Sequence, residues 1–297
     1  MSELCGIMIV DKPVGVTSQV VIGRLRKVTG IRRIGHCGTL DPLASGVLPV
    51  MIGNATKACE YLMDHDKVYV ASIRLGVETD TQDITGEVLA KHEGALPSFE
   101  EFAEVAGTFV GEIRQVPPMY SALKKDGVKL VNLAREGVTV EREARAVTIH
   151  SLETYEKDGE FFLKVHCSRG TYIRTLCADI GKKLGCGGCM ASLRRTSVGQ
   201  FDEKDSVPLD VLREFTPEQV EEKLIPIETL FSHYPEAKLP AFYAKLYAHG
   251  EKITITKFKL QGQVGDRFRV TTPEGRFTVG EISEYNGKLQ LGAKMFF

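Results

Sequence analysis

The sequence predicts an α+β protein, and two features carry that prediction. Strand-like and helix-like runs are interleaved irregularly along the first two-thirds of the chain, so a regular parallel βαβ repeat is not demanded. Beyond about residue 235 one helix precedes short β segments separated by turns, the pattern of a small β-barrel of about 60 residues.

Taken in order, GIMIVDKP (6–13) is an apolar run closed by Lys12 and Pro13, a strand ending in a turn. Ser18 is placed to cap a helix carrying Val21, Leu25 and Val28 on one face. KVYVASIRLG (67–76) is rich in β-branched residues and reads as a strand, and TDTQDITG (79–86) follows as a polar loop. The segment 97–111 suits a helix capped by Ser98, with Glu101 completing a capping box. The proline-rich start of 115–136 predicts a projecting segment. Residues 145–168 form two strand-like runs around Lys-Asp-Gly, a hairpin. Residues 171–185 read as a helix with Ile173, Leu176, Ile180 and Leu184 on one face, stopped by Gly185. In the tail, LPAFYAKLYAHG is helical, and Pro-Glu-Gly and Asn-Gly mark turns.

Composition narrows the function classes. No run of about 18 apolar residues is present, so no membrane-spanning helix is expected, and the N-terminus lacks the basic flank and long apolar region of a secretory signal. The seven cysteines are unevenly spaced, which fits reduced thiols and a cytoplasmic location better than a disulfide framework. Net charge is −1, but its distribution is uneven. Segments 78–104 and 202–228 carry −7 and −6, the last 65 residues carry +4, and the remainder carries +8. Acidic segments therefore mask a basic body, in which RLRKVTGIRR (24–33) has five bases and no acid. Such clusters are ordinarily solvated surface; nucleic-acid binding needs further support.

Several familiar chemistries have no motif here. There is no P-loop, no G-x-G-x-x-G after a strand, no H-E-x-x-H and no G-x-S-x-G elbow. CGGC (186–189) has no second pair at metal-like spacing and reads as a Gly-rich turn. GHCGTLDPLASGVLPV (35–50) carries a single acid, Asp41, just before Pro42. Taken alone, the stretch favours Asp41 as the cap of a helix starting at Pro42; the competing reading makes the carboxylate a chemical group approached across glycines. In CSRGTYIRT (167–175), Tyr172 and Arg174 fall in the first turn of a helix. A cation there opposes the helix dipole, so Arg174 points either to a fixed negative partner or to ordinary surface.

Together these segments resemble the TruB family of tRNA pseudouridine-55 synthases, of the bacterial type. The resemblance rests on GIMIVDKPVGVTS, GHCGTLDPLASGVLPV, KVYVASIRLGVETDTQD, QVPPMYSALKKDG, and CSRGTYIRTLCADIGKKLG with ASLRRTSVG, in the family's order over residues 5–200. The tail resembles the PUA-like domain of these proteins more weakly. Cys37 departs from the threonine common in the family, a small replacement with little expected effect.

The resemblance implies a pseudouridine synthase domain over 1–232, built on a mixed, largely antiparallel sheet with an RNA-gripping insertion near 115–136. A PUA-like domain over 235–297 follows. It implies isomerisation of one uridine in the T-loop of tRNA: the flipped base leaves its anomeric carbon, turns and rejoins through carbon 5. Such a reaction needs no cofactor, metal or ATP. Asp41 matches the reactive carboxylate, and Arg174 the cation that keeps it charged in a water-poor pocket. Tyr69 matches the residue that stacks on the uracil and assists proton transfer; Tyr172 and Leu193 wall the base, and His36 fills the space it vacates. The resemblance places Lys12, Arg24, Arg32, Arg33, Lys124, Lys125, Arg169, Arg194 and Arg195 along RNA phosphates, and the C-terminal domain on the acceptor stem. The expected partner is tRNA, bound by a monomer without an obligate protein partner or a membrane. The competing readings are a non-catalytic tRNA-binding or folding chaperone, and a synthase acting on another RNA.

Overall fold

A computed structural model describes residues 4–272 and 275–297. Strand β1 (Gly6–Lys12) leads into helix α1 (Ser18–Thr29), strands β2 (Ile34–His36) and β3 (Ala44–Ile52), helix α2 (Cys59–Met63) and strand β4 (Lys67–Leu75). The main sheet runs Val207–Pro208, β1, β3, Gly188–Val198, β4, Glu160–Cys167, Arg145–Lys157, Gly111–Gln115. β1 pairs parallel with Val207–Pro208, and β3 parallel with Gly188–Val198; the other neighbours along this path are antiparallel, so the sheet is mixed and largely antiparallel as expected.

Both faces of this sheet are covered. Met8 and Val10 of β1 enter one core with Leu48, Val50, Leu163 and Leu176, whereas Ile7 and Ile9 enter a second core with Val47, Met51, Phe231, Phe277 and Val279. Strands buried on both sides read as continuous apolar runs, which is why GIMIV shows no polar alternation. The second core also joins the tail to the main sheet. Within the tail, Ile253–Thr254, Lys288–Phe296, Phe277–Tyr285 and Arg267–Thr271 form a four-stranded antiparallel sheet around Tyr247, Phe268 and Leu291.

Local signals mostly act where the sequence places them. Ser98 and Glu101 form the reciprocal capping box of helix Phe99–Gly107, which ends earlier than expected because Gly111–Gln115 is recruited as an edge strand. The hairpin Arg145–Lys157/Glu160–Cys167 turns on Asp158 and Gly159, both at positive φ as a type I′ turn requires. The helix expected over 171–185 spans Ile173–Lys183, with Gly185 in the left-handed region just beyond it. The tail helix spans Ala241–Ala248, and Asn286 and Gly287 make the Asn-Gly turn; Pro273 and Glu274 of the expected Pro-Glu-Gly turn lie outside the described residues.

Three expectations are corrected. The cap of α1 is Thr17, whose side chain accepts from the Val20 N–H, and Ser18 is the first helical residue. No helix starts at Pro42: after a short turn the chain enters β3, whose apolar run pairs along β1. The 115–136 segment does not simply project. It folds into a hairpin (Lys124–Lys125 with Val128–Lys129) and helix Leu130–Arg135, with Met119 and Leu130 buried.

Candidate active site

Asp41 sits in the loop between β2 and β3, held from beneath by α1. The buried Ser18 hydroxyl donates to the Leu40 carbonyl (3.1 Å) and accepts from the Leu40 N–H (3.0 Å). Ser18 thus satisfies both backbone groups of the residue before Asp41. Ser18→Ala leaves that buried pair unsatisfied, and we expect it to cost about 1–3 kcal/mol in urea-unfolding stability.

Arg174 arrives from the start of helix Ile173–Lys183, where Tyr172 is the N-cap residue. Gln115 fixes that entry: its side chain accepts from the Tyr172 N–H (3.0 Å) and donates to the Tyr172 carbonyl (3.3 Å). The guanidinium is buried among four acceptors. Nη2 lies 3.0 Å from Asp41 Oδ2 and donates to the Tyr120 carbonyl (2.8 Å); Nη1 donates to the Thr81 carbonyl (2.9 Å) and lies 3.8 Å from Asp83 Oδ2. Two carboxylates therefore offset a cation that the helix dipole disfavours. Asp83 is itself buried and locked, its Oδ1 accepting from the Thr85 N–H (2.9 Å) and the Thr81 hydroxyl (2.9 Å).

These groups meet at a cavity of about 500 Å³. Asp41, Tyr69, Tyr172, Arg174 and Leu193 all line it, together with Tyr120 and Lys129 from the 115–136 segment. Burial pushes the Tyr69 and Tyr172 hydroxyls above the ordinary tyrosine range, so both are kept as donors. Asp41 itself is not buried: its side chain is 40% exposed, so the free protein does not provide the water-poor surroundings expected for it. His36 does not line the cavity; its Nδ1 is buried without a hydrogen-bond partner among the described residues, and burial, then the Arg195 charge, lowers its pKa. Cys37 is packed beneath the loop, donating to Cys59 Sγ across 3.1 Å.

Two residues expected on RNA phosphates belong instead to the interior. Lys12 is fully buried, its Nζ donating to the Val16 (2.7 Å) and Pro13 (2.9 Å) carbonyls, and burial lowers its pKa to about 8. Arg195 is 1% exposed, with Nε on the Val47 carbonyl (2.8 Å) and Nη2 on the Gly38 carbonyl (3.0 Å), so it braces the Asp41 loop and lines the cavity. Arg194 is outside the cavity and already paired, bidentate to Asp11 at 3.0 and 3.1 Å and bonded to Glu203. Of the remaining bases, Arg24 lies 3.5 Å from Asp210, Arg169 pairs with Asp64, and Arg33 bonds Thr56 and Asn54. Arg32, Lys124 and Lys125 are exposed.

Sequence reasoning missed Asp83, Gln115 and the clamp made by Ser18. Asp83 carried one local signal, the Asx-type turn of Asp83-x-Thr85; nothing local tied it to Arg174.

Residues 26–173 match the family described as TruB family pseudouridylate synthase (N terminal domain), and residues 174–232 match the tRNA pseudouridylate synthase B C-terminal domain. A protein of Syntrophotalea carbinolica named tRNA pseudouridine synthase B is 48% identical over 231 residues, covering 77% of this chain and 76% of its own. One of the same name from Clostridium acetobutylicum is 40% identical over 286 residues, covering 96% and 98%. Among solved structures, a chain in the crystal structure of a Cbf5–Nop10–Gar1 complex superposes with a TM-score of 0.70 at 26% identity, over 98% of this chain and 84% of that one.

Proposed function

The chain belongs to the TruB family of pseudouridylate synthases, and from that premise we propose that it isomerises one uridine of tRNA to pseudouridine, at position 55 of the T-loop, with Asp41 as the reactive carboxylate. The relatives' names favour tRNA over another RNA as substrate. The observation that carries the assignment of Asp41 is the 3.0 Å Asp41–Arg174 pair at the wall of a cavity large enough for a nucleoside.

The reaction breaks the bond from the anomeric carbon to N1 and makes one to C5; a proton leaves C5 and N1 gains one, so atoms balance without a redox partner. Arg174 aims the Asp41 carboxylate across their 3.0 Å contact. The flipped uracil stacks on Tyr69 between Tyr172 and Leu193, compensating stacking lost from the RNA loop, a loss of a few kcal/mol. RNA entry covers the half-exposed Asp41 and supplies the water exclusion that the free protein lacks, strengthening its interaction with the base.

Exposed Arg32, Lys124 and Lys125 supply phosphate contacts, which set register without reading sequence. The tail over 235–297, net +4, takes the acceptor stem. The enzyme acts as a monomer in the cytoplasm; no helix among the described residues is long and apolar enough to cross a membrane. An unmodified tRNA transcript tests the reading. Carbodiimide mapping is expected to show a single new adduct at position 55, read as a reverse-transcriptase stop one nucleotide 3′ of it and absent when that uridine is replaced by cytidine. A stop elsewhere, or none, overturns it.

A further inference from the structure

We propose that Asp66, His150 and His166 form a binding site for a divalent transition-metal ion of the zinc class, separate from the catalytic cavity. Three elements converge there: Asp66 lies just before β4, His150 on Arg145–Lys157 and His166 on Glu160–Cys167. The two strands are paired, but their register shifts between Ile149, which faces Cys167, and Ser151, which faces His166. His150 is therefore the extra residue of a β-bulge, a device that re-aims a side chain, and here it brings the imidazole beside that of His166 with ring centroids 4.8 Å apart.

The donor geometry suits an ion. His150 Nε2 lies 3.2 Å and His166 Nε2 3.8 Å from Asp66 Oδ2, and the three ligand atoms are all within 4.8 Å of one another. Ligands about 2.0–2.1 Å from a tetrahedral zinc stand roughly 3.4 Å apart, so small side-chain rotations suffice. One imidazole N–H would satisfy the carboxylate as a hydrogen bond; the second completes a two-nitrogen, one-oxygen set of the kind zinc and its neighbours prefer over magnesium. Nearby cations do not fill the place. Lys67 turns its Nζ to the Met63 and His65 carbonyls, and Lys164 pairs with Glu153 at 3.5 Å. The three side chains are 37–47% exposed, so an ion reaches them from solvent, and a fourth coordination position stays open. The bound ion would staple the 145–167 hairpin to the segment entering β4, taking no part in the isomerisation.

Titration calorimetry of the full chain with Zn²⁺ tests this. We expect one equivalent bound with a Kd on the order of micromolar, and a melting temperature raised by a few degrees. His150→Gln/His166→Gln and, separately, His166→Gln should each weaken binding by at least about tenfold while pseudouridine formation in metal-free buffer stays at the wild-type rate. Either no uptake by the wild type at about 100 µM free Zn²⁺, or equal uptake by the variants, overturns the proposal.

Discussion

Asp41→Asn is expected to lower kcat for pseudouridine formation by at least about 10³-fold while tRNA affinity stays within about tenfold, roughly 1.4 kcal/mol. The substitution keeps the size of the side chain, removes its charge and replaces one acceptor oxygen with an NH2 donor. The guanidinium of Arg174 retains Asp83 and the Thr81 and Tyr120 carbonyls, so it is not left as an uncompensated buried ion and the fold survives. On the proposed function most binding energy would come from phosphates remote from Asp41, so affinity and turnover should separate. Single-turnover assays on an unmodified transcript, with filter binding in parallel, measure both quantities. Activity above about a tenth of wild type would remove Asp41 from the chemistry. Joint loss of binding and folding would make it a structural residue instead.

The separation between what the sequence made legible and what it concealed follows the range of the interactions involved. Capping at Ser98 and Glu101, the Asp158–Gly159 turn and the stop at Gly185 are decided within a few residues, and each was readable. The Asp41 loop was not. Read locally, Asp41-Pro42 resembles a helix start, and only the pairing of β3 with β1 some forty residues away makes it a strand entry. Ser18 shows the same limit: its hydroxyl was free for Leu40 because Thr17 does the capping, a choice between adjacent residues that propensity does not resolve.

Lys12 and Arg195 expose a second limit. A base in a sequence reads as surface charge, yet these two are buried because backbone carbonyls brought together by the fold, from loops and from β3, accept their hydrogen bonds. Arg174 stood out against a helix dipole, which left it either a cation with an anionic partner or ordinary surface, whereas Asp83, the second anion, was concealed in a polar loop.

Arg174 carries the other large expected effect, and two substitutions separate its roles. Arg174→Ala deprives two carboxylates and two backbone carbonyls of their shared donor, so we expect a loss of about 3–5 kcal/mol in unfolding free energy. Arg174→Lys keeps the charge. A single ammonium cannot hold Asp41 and Asp83 while donating to carbonyls on both sides, because it lacks the planar fork that Nη1 and Nη2 provide. That variant should fold, with a loss nearer about 1–3 kcal/mol, and bind tRNA normally, yet lose at least about 10²-fold in kcat because the Asp41 carboxylate is no longer aimed. The decisive comparison is the double variant with Asp41→Asn. Arg174 acts through Asp41, so adding Arg174→Lys to Asp41→Asn should cost little further activity, whereas independent roles would multiply the two losses. Multiplicative losses in single-turnover assays would show that the guanidinium serves the reaction by some route other than the carboxylate it holds.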